Sequence, residues 1–194
     1  MLATVSANDF GYITIDDLVE RNLRTLETLN RLERFEGHLF NWYDLNKLEP
    51  LRPRYVSAVD SGNLVASLWT FQTSCNELTA CPLLDDAALR GIGDTLSVLR
   101  QIAPNQEGTE LPLAFRRLEG LTRDQSSNLE EIILRIRAAR QLAQDLLLHY
   151  RGLETDPHTY WTQQISKQVA ACCYQMGFTE PESVCPQFLQ PGIL

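Results

Sequence analysis

A chain of 194 residues with 44% hydrophobic side chains is long enough to bury a core, with one domain as the default. Its formal net charge of −8 argues against nucleic acid and an anionic membrane surface as partners. No apolar run reaches the about eighteen residues of a membrane span, and the first residues carry no basic–apolar signal pattern.

The opening stretch MLATVSAND is apolar and rich in small residues, and reads as the last turns of a helix whose beginning is missing. Phe10-Gly11-Tyr12 follows as a turn. Thr14 and Asp17 have capping-box spacing, which predicts a helix running to about Phe35, with Gly37 as its stop. Its apolar stripe is Leu18, Leu23, Leu26, Leu29, Leu32 and Phe35. Asp17–Arg21, Glu20–Arg24 and Glu27–Arg31 are i,i+4 pairs on the solvated face, each supplying about 0.2–0.5 kcal/mol.

Residues 38–63, HLFNWYDLNKLEPLRPRYVSAVDSGN, form a linker too long for a simple helix–helix turn. Pro50 and Pro53 each remove a backbone donor and restrict φ, which predicts an extended, stiff loop. Asp60-Ser61-Gly62-Asn63 reads as the start of the next helix, with Asp60 as its candidate cap. There Leu64, Leu68, Phe71, Cys75 and Leu78 recur at helical spacing, and with Trp69 they predict a largely buried helix. Pro82 separates it from a third long helix with Leu89, Ile92, Leu96 and Leu99 on one face. Residues 104–127 read as a polar connection holding one short helix near Leu113–Leu118. From Asn128 a regular stripe of Leu129, Ile132, Ile133, Ile136, Ala139, Leu142, Ala143, Leu146 and Leu147 predicts a long helix closed by Gly152. A last helix from about Asp156 aligns Trp161, Ile165, Val169, Cys172 and Met176, ends at Gly177 and leaves an irregular tail over 179–194. Five or six helices without a convincing strand make the fold class all-α, built of helical hairpins.

The chemistry concentrates in the central loop, where Asn41, Trp42, Tyr43 and Asp44 are consecutive and Asp60 and Asn63 follow. A stiff loop presenting aromatic faces beside carboxylates and amides suits a sugar: ring C–H groups stack on the aromatics, and hydroxyls meet polar partners. Trp42 and Tyr43 are equally read as plugs at the end of a helical core. Glycoside chemistry needs two carboxyl groups, about 5–5.5 Å apart for retention or about 6.5–9.5 Å for inversion. Asp44 and Asp60 are the carboxylates in the aromatic cluster. At a helix start Asp60 serves as an acceptor for hydroxyls, or as a cap, rather than as a proton donor. Asp44 is therefore the candidate for substrate contact and for catalysis. His38 borders the cluster and could orient it, although its position favours a surface or capping role, and His149 and His158 are assigned none. The five cysteines lack CxxC or His–Cys spacing, Cys172 and Cys173 read as core filler, and neither a metal nor another cofactor is expected. A reducing cytoplasm fits this cysteine usage.

Three segments, DFGYIT at Asp9–Thr14, LERFEGHLFNWYD at Leu32–Asp44 and YVSAVDSGNL at Tyr55–Leu64, resemble the glucoamylase-like, glycoside-hydrolase-like region of cyclic β-1,2-glucan synthases. These are large, multi-domain bacterial enzymes. The likeness is dense from about Leu2 to Leu68 and thins past Cys75; Ala58 departs from it, standing where a hydroxyl residue is expected. The resemblance implies an (α/α)6 toroid, of which this chain would supply roughly the first half. It also implies a role in processing or cyclising β-1,2-glucan, with Asn41, Trp42, Tyr43, Asp44, Asp60 and Asn63 on one wall of a glucan-binding groove. The acidic residues needed for chemistry would then lie downstream, and this chain alone would be inactive. Its partners would be a glucan oligosaccharide or polysaccharide, the rest of the parent polypeptide, and a second copy through self-association. The parent would sit in the bacterial inner membrane, with this segment cytoplasmic and out of contact with the bilayer. The alternative is a non-catalytic helical scaffold or protein-interaction domain.

Overall fold

The computed structural model describes residues 1–102, 113–150 and 156–177. Among them the chain is all-α apart from one minimal hairpin. The helices are α1 (Leu2–Asp9), α2 (Ile15–Arg31), α3 (Ala58–Leu78), α4 (Asp86–Ile102), α5 (Leu113–Arg123), α6 (Leu129–His149) and α7 (Pro157–Gln175), and two-residue strands β1 (Arg34–Phe35) and β2 (His38–Leu39) pair antiparallel. These residues fall into two compact units, Met1–Ala7 with Ile15–Pro82, and Asn8–Thr14 with the chain from Leu83 onward.

The second unit holds the packed core. α4 packs on α5 and α7, and α6 packs on the same two, so that four successive helices close on themselves as a bundle. Leu89, Ile92, Leu96 and Leu99 of α4 meet Phe115 and Leu118 of α5, Ile132, Ile136, Ala139, Ala143 and Leu146 of α6, and Ile165, Val169, Cys172 and Cys173 of α7. The α4 stripe is the one that the 3.6-residue period predicts; the predicted stripes of α6 and α7 are buried at their centres, while Ile133, Leu142, Leu147, Trp161 and Met176 are half-buried and Leu129 is exposed. Burying each large side chain contributes about 1.5–3 kcal/mol. The caps are supplied locally. Asn128 Oδ1 accepts from Glu130 N at 2.9 Å to open α6, and Asp156 Oδ2 accepts from Thr159 N at 3.1 Å to open α7, with Pro157 in its first turn. The short helix expected near Leu113–Leu118 runs on to Arg123. The expected close of α6 at Gly152 and the tail over 179–194 lie outside the described residues.

The Phe10-Gly11-Tyr12 turn belongs to this unit and seats against the start of α4. Gly11 has φ +72°, and a Cβ there would lie 1.9 Å from the Ala87 carbonyl oxygen. Gly91 is required from the other side, where a Cβ would lie 2.3 Å from Gly11 O. Gln168 Nε2 of α7 donates to Gly11 O at 2.7 Å, and Tyr12 OH donates to Asp94 Oδ2 at 3.0 Å. That bond to a carboxylate, with some desolvation, raises the Tyr12 phenol above its ordinary pKa.

In the first unit, α1 is tied to α2 by the buried Asn22, whose Nδ2 donates to Thr4 Oγ1 at 2.7 Å and to Leu18 O at 2.8 Å. Two expectations fail here. α2 stops at Arg31, short of Phe35, and Gly37 turns a hairpin instead of ending a helix. Glu36 and Gly37 have φ of +49° and +87°, the pair of left-handed residues that a two-residue hairpin turn demands. Arg34 Nη2 donates to Leu29 O at 3.1 Å and satisfies one of the carbonyls freed at the helix end. Of the proposed α2 stripe only Leu18 is buried, while Leu23 and Phe35 are exposed. The second failure is α3, in which no residue is buried and Trp69 is 69% exposed. Helical spacing reports that a face is apolar; it carries no information on whether anything covers it.

Candidate functional site

The central loop, within the first unit, is braced from end to end by its own hydrogen bonds. Asp44 N donates to Glu49 O at 2.8 Å and Leu51 N to Trp42 O at 3.0 Å, so residues 42–44 run beside 49–51. Asn41 N donates to Tyr55 O at 2.9 Å and closes the next layer. Pro50 pairs opposite Tyr43, and the Arg52–Pro53 peptide is cis. Arg54 makes a two-pronged contact with Glu33, at 2.6 Å and 3.2 Å, and its guanidinium lies 5.4 Å from the centre of the Phe40 ring.

Along this extended backbone successive side chains point to opposite sides, which separates the roles of neighbours. Trp42 points outward, 52% exposed, and stacks on Tyr55, itself 54% exposed, with ring centroids 6.1 Å apart. Tyr43 points inward. Its hydroxyl donates to Glu33 O at 2.7 Å and accepts from Phe40 N at 2.8 Å, leaving it as a strut of the loop. Asp44 Oδ1 accepts from Asn46 N at 2.9 Å and Lys47 N at 2.8 Å, so that oxygen holds the loop tip.

The start of α3 gathers the remaining polar residues. The cap is Ser57, whose Oγ accepts from Asp60 N at 3.1 Å, and the expectation that Asp60 caps this helix is corrected accordingly. Helix formation already begins at Ala58, which puts the Asp60 carboxylate inside the first turn. It is taken instead by Asn41, whose Nδ2 donates to Asp60 Oδ2 at 3.0 Å and whose Oδ1 accepts from Ser57 N at 3.0 Å. At the next residue, His38 Nδ1 lies 2.9 Å from Ser61 Oγ. Asn63 is exposed on α3. The structure thus brings Asn41 and Asp60 together, sets Trp42 outward against Tyr55, and gives Tyr43 and Asp44 work inside the loop.

Tyr55 and Ser57 escaped sequence reasoning as members of this site, whereas His38 reads from the sequence as bordering it. Ser57 had a legible signal, since Ser at 57 with an acidic residue three positions on is N-cap spacing. Tyr55 had none, because its partner Trp42 is set by the doubling back of the loop.

No family model matches the chain. Over 162 residues, 81% of this chain, it is 33% identical to the cyclic β-(1,2)-glucan synthase NdvB of Rhizobium meliloti (strain 1021). The chain is a relative of cyclic β-1,2-glucan synthases. The matched stretch spans only 6% of that much longer protein. Among the described residues no helix is long and apolar enough to cross a membrane, and no three His, Cys, Asp or Glu side chains are grouped to hold a metal ion.

Proposed function

We propose that the loop from His38 to Asn63 forms one wall of a glucan-binding groove in a protein that processes or cyclises β-1,2-glucan. The observation that carries this is the exposed Trp42–Tyr55 stack, one residue along the loop from Asn41 and its bond to Asp60. Two large rings left in water by a braced loop are a ready face for sugar C–H groups, and a carboxylate oriented by an amide is an acceptor for sugar hydroxyls. Kinship with a glucan synthase supports the choice of glucan. Asp60 and Trp42 are the direct contacts in this proposal and Asn41 orients Asp60. Tyr43 and Asp44 hold the loop in shape, and Asn63 contributes an exposed amide.

Catalysis by Asp44 is no longer favoured, because one of its oxygens already accepts two backbone donors. The chain alone is accordingly proposed to be inactive on glucan, with an (α/α)6 toroid completed by the rest of a parent polypeptide. Cysteines outside any disulfide at Cys75, Cys81 and Cys173 support a reducing, cytoplasmic setting. A second reading, a scaffold whose business is protein contact, is favoured by α3, where Val59, Val65 and Trp69 all stand in solvent.

Fluorescence titration separates the two. With β-1,2-linked glucose oligomers at millimolar concentration the emission of this chain should shift, less so with β-1,4-linked ones, and Trp42→Phe should abolish the shift. Silence toward glucan together with concentration-dependent mass in light scattering would leave the scaffold reading standing.

A further inference from the structure

We propose that His38 is a second hydroxyl-binding residue of this wall, presenting an unprotonated Nε2 as acceptor to a sugar O–H; the proposal rests on the glucan reading above. The inference comes from counting protons around Ser61. A serine hydroxyl has one hydrogen to give and lone pairs with which to accept. Ser61 Oγ lies 2.9 Å from the Ser57 carbonyl oxygen and donates to it. Without that hydrogen between them, two sets of oxygen lone pairs would face each other at hydrogen-bonding distance. Ser61 therefore meets His38 Nδ1, 2.9 Å away, as an acceptor, and Nδ1 carries the N–H. In a neutral imidazole the second nitrogen then holds the lone pair. The tautomer is assigned by the hydrogen-bond network, and it leaves the acceptor on a ring exposed to solvent.

The position agrees with the chemistry. Ser61 follows Asp60 on the first turn of α3, and His38 and Asn41 reach those two neighbours from the same strand-to-loop segment. The wall then offers sugar hydroxyls two acceptors, a carboxylate and an imidazole nitrogen, next to an aromatic stack. Each acceptor is oriented by a partner on its far side, Asn41 for Asp60 and Ser61 for His38.

Two substitutions divide the ring's functions. Asn places its amide where Nδ1 stands, so His38→Asn keeps the link to Ser61 and deletes the Nε2 acceptor. Gln places its amide near Nε2, so His38→Gln restores an acceptor there and gives up the link. The probe is a linear β-1,2-linked glucose oligomer titrated into the 194-residue chain, with long-range 1H–15N NMR of the imidazole on the free protein. The expected result is an Nδ1–H tautomer, a loss of about 3–10-fold in affinity for His38→Asn at an unchanged melting temperature, and a smaller loss for His38→Gln. A purely structural role predicts equal affinity for His38→Asn and the unaltered chain, and that result, or an Nε2–H tautomer, overturns the proposal. Failure of the unaltered chain to bind the oligomer overturns the glucan reading itself, and this proposal with it.

Discussion

Asn41 holds Asp60 through one end of its amide, Nδ2 to Oδ2 at 3.0 Å, while the other end accepts the Ser57 N–H at the mouth of α3. A residue at the foot of the aromatic loop therefore fixes both the helix start and the carboxylate that faces outward from it. Asparagine is one of the few side chains with a donor and an acceptor on the same planar group, and both are used here.

Asn41→Ala should accordingly cost about 1–3 kcal/mol, since it leaves the Ser57 N–H without its acceptor and the Asp60 carboxylate unheld. Urea unfolding of the first unit measures it, and glucan affinity should fall in step. An unchanged midpoint would show that water replaces the amide without loss.

Capping assigns a different ranking to Ser57 and Asp60 than their charges suggest. Ser57→Ala should lower the stability of α3 by about 1 kcal/mol, as loss of an N-cap does. Asp60→Ala removes a first-turn charge and the solvent-exposed acceptor of Asn41 Nδ2, and should cost less, about 0.3–1 kcal/mol, shrinking with added salt. Helix content by circular dichroism at two ionic strengths decides the order.

Gly11 and Gly37 share a positive φ and differ in surroundings. At Gly37 nothing lies within 4 Å of where an added methyl would stand, so Gly37→Ala should cost only the backbone penalty, about 1–2 kcal/mol. At Gly11 the same methyl would sit 1.9 Å from Ala87 O, which forces the turn off α4 and breaks the Gln168 contact. Gly11→Ala should therefore cost several times more, read as the difference in melting temperature between the two variants.

Acid should loosen the second unit through Asp156. The N–H of Thr159, then the His158 ring, hold its carboxyl below the ordinary carboxylate pKa. A carboxyl with a depressed folded pKa stabilises fully above its unfolded value and loses that contribution as pH falls through the folded one. Glu131, held down by Ser126 and then Arg135, acts in the same direction. The urea midpoint should drop from neutral pH toward about pH 3, and Asp156→Asn, which keeps a capping oxygen, should flatten the decline. An unaltered slope in that variant would remove Asp156 from the account.

The four-helix bundle was legible because each of its helices carries its own message. Ile132, Ile136, Ala139, Ala143 and Leu146 repeat at helical spacing and are all buried, and Asn128 and Asp156 announce the helix starts as caps. Such signals act over three or four residues, so the amino-acid order alone determines them. The aromatic loop was legible as a cluster but not as an arrangement. Trp42 and Tyr43 are neighbours in sequence, and only the doubling back against Pro50 and Tyr55 turned one ring to solvent and the other hydroxyl to Glu33 O.

What the sequence by itself determined, then, is helical periodicity, helix starts, and the kind of chemistry the loop can offer. The tertiary structure decided who meets whom: Asn41 and Asp60 are 19 residues apart, and Gly11 and Gln168 are 157 apart. It also decided that, among the described residues, the apolar stripe of α3 from Leu64 to Leu78 is only half-buried, with Val59, Val65 and Trp69 exposed, while that of α4 is buried. The physical reason is that a local pattern fixes which face of a helix is apolar, whereas burial and polar pairing depend on segments that the chain brings alongside from far away.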